Sequence, residues 1–80
     1  MNGNFFPLSL AVPGKKVTLV SINGGRGLRA RLTNMGLKVG MQIEVMHSYR
    51  AGPCIVFAEN TRLVLGHGMA DKIFVKEEQT

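Results

Sequence analysis

Apolar and polar residues alternate along most of this chain, and one clear helical period interrupts that alternation. From Lys16 to Ile22, Val, Thr, Leu and Ile predominate and the run stops at Asn23-Gly24-Gly25, which predicts a strand followed by a turn. Asn and Gly tolerate positive φ, so the chain reverses there at little steric cost. From Gly27 to Met35, Leu28, Leu32 and Met35 recur at i, i+4 and i+7, which places them on one face of a helix of about two turns. Gly36 stands where a left-handed residue ends such a helix, and Leu37 beyond it is expected to pack back on Leu32. A helix this short does not persist alone, so it must dock on a sheet.

After Gly40 the alternation returns. Met41, Ile43 and Val45 are expected to face inward, and Gln42, Glu44 and Met46 outward. Ala51-Gly52-Pro53 reads as a turn, Cys54 to Glu59 as a strand, Asn60 as a reversal, Arg62 to Leu65 as a strand and Ile73 to Val75 as the last. Gly66 to Lys72 reads as a tight loop or a single helical turn. Phe5 to Leu10 is apolar enough to dock on the body, and Val12-Pro13-Gly14 turns the chain into the first main strand. Residues 1–7 and 76–80 are expected to be flexible ends. Short, closely spaced strands with one brief helix predict a mainly β fold, a small SH3-like barrel of about five strands with one short α-helix.

Size limits what such a fold can do. Eighty residues make one domain, 1–80, with an expected radius of gyration of about 12 Å. A deep cleft for a substrate would consume most of that core, so the chain is not read as an enzyme, and no small-molecule substrate or cofactor is expected. The apolar runs are short, Cys54 to Ala58 among the longest, so membrane insertion is not expected. Met1 to Pro7 lacks the basic and long apolar regions of a secretory signal. The one cysteine, Cys54, fits a reducing cytoplasm.

Charge adds a direction. The net charge is +5, and the charges before Glu44 are all positive: Lys15, Lys16, Arg26, Arg29, Arg31 and Lys38. The five acids, Glu44, Glu59, Asp71, Glu77 and Glu78, follow. A basic face of this kind meets an acidic surface, a nucleic acid or an anionic headgroup layer, or is simply solvated.

Taken in order and spacing, these residues resemble the FeoA family. The frame Leu32-Thr33-Asn34-Met35-Gly36-Leu37-Lys38-Val39-Gly40-Met41-Gln42-Ile43-Glu44-Val45 is similar to its segment of helix, glycine and following strand. Gly52-Pro53, then Leu63-Val64-Leu65, Ala70 and Ile73-Phe74-Val75, resemble the strand, tight turn and closing strand that follow, so the likeness runs from about Leu8 to Val75. The same barrel forms the C-terminal domain of iron-dependent repressors, which carry a helix-turn-helix ahead of it; a chain of this length fits the stand-alone module better. The resemblance implies a cytoplasmic accessory of ferrous-iron uptake that docks on the cytoplasmic part of the membrane permease FeoB.

The chemistry of individual residues is consistent with docking. Gly24-Gly25-Arg26-Gly27 lacks the Lys and Ser or Thr of a phosphate-binding loop and reads as a turn. His47, His67, Cys54, Glu59 and Asp71 show no metal-ligand spacing, so no dedicated metal site is assigned. The five methionines are scattered and read as core filling apart from Met1, the start residue. With no Trp and one tyrosine, Tyr49, the aromatic groove of proline-peptide recognition is missing. What remains is a basic, partly apolar docking face of Arg26, Arg29, Arg31, Lys38 and Arg50, with Val64 and Phe74 as outward apolar residues. A nucleic-acid-binding small barrel is the alternative; the charge supports it and the low aromatic content does not, since base stacking needs exposed rings.

Overall fold

The computed structural model describes residues 5–48 and 52–78. Arg50, Tyr49 and the first residue of the expected Ala51-Gly52-Pro53 turn lie outside the described residues.

Six strands form one antiparallel sheet: β1 (Phe6–Pro7), β2 (Lys16–Ile22), β3 (Gln42–Ser48), β4 (Cys54–Ala58), β5 (Thr61–Leu65) and β6 (Ile73–Glu77). Their spatial order is β1-β6-β2-β3-β4-β5, so β1 and β5 are the outer strands. A 3-10 turn (Leu8–Leu10) follows β1, α1 (Arg26–Asn34) joins β2 to β3, and α2 (His67–Ala70) joins β5 to β6. The strand expected over Lys16 to Ile22 has those limits, and the Gly66 to Lys72 segment does contain a helical turn.

Of the ends expected to be flexible, residues 1–4 and 79–80 lie outside the described residues, and Phe6, Pro7, Lys76 and Glu77 are held in the sheet. Phe6 and Pro7 pair with Val75 and Phe74, which adds a strand beyond the five expected. At the other end, Lys76 and Glu77 pair with Thr18 and Val17, and the Glu78 amide donates to the Lys16 carbonyl at 3.1 Å. Phe6 is half-buried and Leu8 fully buried, so the first segment gains enough apolar contact to hold its backbone.

The sheet curls because two of its strands carry irregularities. The β2–β6 register shifts between Leu19 and Ser21, and the β3–β4 register shifts between Val45 and His47. Such bulges increase twist and bend the strand. Every second residue therefore meets in one core: Val17 and Leu19, Ile43 and Val45, Cys54 and Val56, Ile73 and Val75. No polar residue is buried among the described residues. The radius of gyration is 11.4 Å, close to the value expected for the length.

Candidate partner-docking surface

The helix α1 is held from outside itself. Its N-cap, Gly25, supplies no side-chain hydrogen bond, and no acid stands in its first turn to complement the positive end of the helix. Its one buried residue is Leu32, with Leu28 and Met35 packed half-buried beside it. Gly24 lies so close that an added Cβ would come within 2.5 Å of Leu28 Cδ2. At the far end Gly36 adopts φ +97°, its amide donates to the Thr33 carbonyl at 2.9 Å, and the Leu37 amide donates to the Leu32 carbonyl at 3.0 Å. These two bonds make the glycine-terminated cap, and Leu37 is buried next to the core as expected.

This anchoring fixes where the arginines go. Arg26, Arg29 and Arg31 are all exposed, as is Lys38 in the connection to β3. At about 100° per residue, Arg26 and Arg29 lie one turn apart on neighbouring positions, about 60° from each other. Arg31 is about 140° from Arg26 and flanks the Leu28–Leu32–Met35 stripe on its other side. The three arginines thus form a pair and a single, divided by the face that docks on the sheet. No hydrogen bond or ion pair among the described residues engages any of their side chains or that of Lys38.

The apolar part of the surface lies elsewhere, and partly where the sequence did not point. Val64 is 60% exposed, as expected for an outward residue. Phe74 is half-buried, because β1 lies alongside it with Pro7 directly opposite. Met46 is exposed on the outward side that alternation gave it, not filling the core as the scattered methionines were expected to, and Phe57 is an exposed large apolar residue that the sequence reading did not place on the docking face. Alternation carried the signal for Phe57, which sits between the buried Val56 and Ala58. On the outer face Phe57 lies opposite Glu44 of β3 and Arg62 of β5, and Ile55 lies opposite His47 and Val64. A shallow depression of about 220 Å³ runs beside this row, with Lys16, Gln42, Glu44, Phe57 and Glu59 in its lining.

The potential metal donors are dispersed. His47 is exposed on β3 and His67 opens α2; Asp71 accepts a hydrogen bond from the Ser9 hydroxyl at 3.0 Å. No three His, Cys, Asp or Glu side chains among the described residues converge on a point. Cys54 is a buried free thiol at the start of β4. Burial pushes its pKa above the ordinary thiol value, and a hydrogen bond with Ser48 offsets part of that rise. No helix among the described residues is long and apolar enough to cross a membrane.

A curled antiparallel sheet with one docked helix and a separate exposed cationic surface defines a small SH3-like module. Its relatives place it more closely. The sequence model of the FeoA domain matches residues 6–77. The chain is 31% identical over 74 residues to a protein of Methanocaldococcus jannaschii named "Putative Fe(2+) transport protein A", covering 92% of this chain and 89% of that one. A crystal structure of an iron uptake regulatory protein, FeoA, superposes with a TM-score of 0.87 at 36% identity, covering 94% of this chain and all of that one. A manganese-dependent transcriptional repressor shares the fold at a TM-score of 0.88 and 18% identity, with this chain spanning 44% of its length. The chain belongs to the FeoA family.

Proposed function

We propose that this chain is a cytoplasmic, non-catalytic accessory of ferrous-iron uptake that docks on the cytoplasmic part of the permease FeoB. Membership of the FeoA family supplies the iron-uptake context. The observation that carries the docking reading is the set of exposed cations on and after α1, Arg26, Arg29, Arg31 and Lys38, which no described side chain neutralises. An arginine makes paired planar bonds to a carboxylate, so this surface suits an acidic patch on a protein partner. Arg50 belongs to the same reading by sequence alone. The module takes no small-molecule substrate in this reading, and nucleic acid is not its partner.

The test is titration of the protein against a purified cytoplasmic portion of FeoB, wild type beside a variant with Arg26, Arg29 and Arg31 all changed to alanine. Saturable binding that the triple change weakens supports the reading. No binding to FeoB, together with tight binding to RNA or DNA that collapses as salt is raised, would overturn it in favour of a nucleic-acid module.

A further inference from the structure

The two outer strands of the sheet are not equivalent. β1 is two residues long, one of them Pro7, which has no amide proton to offer. β5 is five residues long, Thr61–Leu65, without proline, glycine or bulge, and among the described residues it pairs only with β4. Its turn from β4 is the two-residue Glu59-Asn60, so Ala58 and Thr61 close the hairpin as a hydrogen-bonded pair. Alternation along the ladder then makes Val56–Leu63 and Cys54–Leu65 the other bonded pairs. The amides and carbonyls of Arg62 and Val64 point away from β4, toward the open edge.

The side chains beside those edge-facing backbone groups are suited to recognition. Arg62 and Val64 face outward, and Phe57 and Ile55 lie directly across from them on β4. An incoming strand would set one residue opposite Arg62 and another opposite Val64, on the same face. We propose that the β5 edge accepts an extended acidic–apolar segment of a protein partner, adding a seventh strand, with a carboxylate facing Arg62 and an apolar side chain facing Val64. This rests on the reading of the chain as a docking module and names a mode of docking for it: main-chain bonds supply affinity, and the two side chains set register. A second copy of this chain is a poorer occupant. Pairing two β5 strands about Leu63 brings the two Arg62 side chains to diagonal positions about 7–8 Å apart and joins two molecules of net charge +5 each.

The probe is a short acetylated, amidated peptide of alternating valine and threonine with one glutamate placed to face Arg62. It is titrated into the full chain labelled for amide hydrogen exchange. The expected result is new protection at the Arg62 and Val64 amides. The amides of Leu63 and Leu65, already bonded to β4, serve as the control that β5 stays folded. Arg62→Glu should weaken the peptide roughly fivefold and a lysine-for-glutamate peptide should regain it. Val64→Pro removes one edge donor where the sheet tolerates its loss, and should also weaken binding. The proposal is overturned if protection appears elsewhere but not at Arg62 and Val64, or if the two amides become protected with protein concentration alone, which assigns the edge to a second copy. The two readings fail separately. FeoB binding that responds to the α1 arginines but not to Arg62→Glu or Val64→Pro removes only the edge proposal; peptide protection without any FeoB binding removes only the permease.

Discussion

The Leu37 amide donates to the Leu32 carbonyl at 3.0 Å across the Gly36 turn, and both leucines are buried in the one core. A single glycine therefore decides the end of α1 and the direction in which its arginines leave the sheet. Gly36→Ala forces a β-carbon into φ +97°, although nothing crowds the space around it. The cost is conformational, about 1–2 kcal/mol, and should appear as a lowered denaturant midpoint with an unchanged slope. Leu32→Ala, at the only fully buried position of α1, should cost about 2–5 kcal/mol. Its amide exchange should show α1 opening before the sheet does.

The arrangement of the arginines yields a sharper expectation than the triple variant. Arg26 and Arg29 neighbour each other on the helix, and Arg31 stands across the docked stripe. If one acidic patch on FeoB meets α1, Arg26→Ala with Arg29→Ala should reduce affinity about tenfold, and Arg31→Ala alone less than about threefold. Isothermal titration of the three proteins checks this; equal losses would mean that the partner wraps the helix.

The β4–β5 turn holds two non-glycine residues at positive φ, Glu59 at +48° and Asn60 at +65°. Asn accepts this region, and Glu does so less readily. Glu59→Asn should stabilise the fold by about 0.5–1 kcal/mol, a rise of a few degrees in the melting temperature. The same measurement in Asn60→Gly should move in the same direction.

Cys54 supplies a pH test. Its folded-state pKa lies above that of the unfolded thiol, chiefly through burial. The folded chain therefore holds the proton more tightly, so the contribution is fully present below the unfolded thiol pKa. It is lost as pH rises through that value toward the folded one. Stability should fall on the alkaline side in the wild type, and this thiol-dependent part should vanish in Cys54→Ala. Native Cys54 should also react slowly with a thiol reagent at neutral pH and rapidly once denaturant unfolds the chain.

Much of this molecule is determined by local pattern. The 2-residue period fixes the inward sides of β2, β3 and β4, because a pleated strand with one wet face has no other way to place Val17, Leu19, Ile43, Val45 and Val56. The helix and its glycine cap were equally legible, since Leu28, Leu32, Met35 and Gly36 express both the helical period and its stop within a few residues. The order of these elements also carried the family.

Tertiary structure alone decided the rest. Pairing with Val75 and Phe74 makes a strand of Phe6–Pro7 and covers Phe74, and neither event leaves a mark in the local pattern of either segment. Likewise the split of Arg26 and Arg29 from Arg31 matters only once Leu32 fixes which side of α1 meets the sheet. The open edge at β5 is a property of strand order, since Thr61–Leu65 reads the same whether one neighbour pairs with it or two. A sequence records which side of a strand is dry; which strands lie beside it depends on contacts between residues distant in the chain.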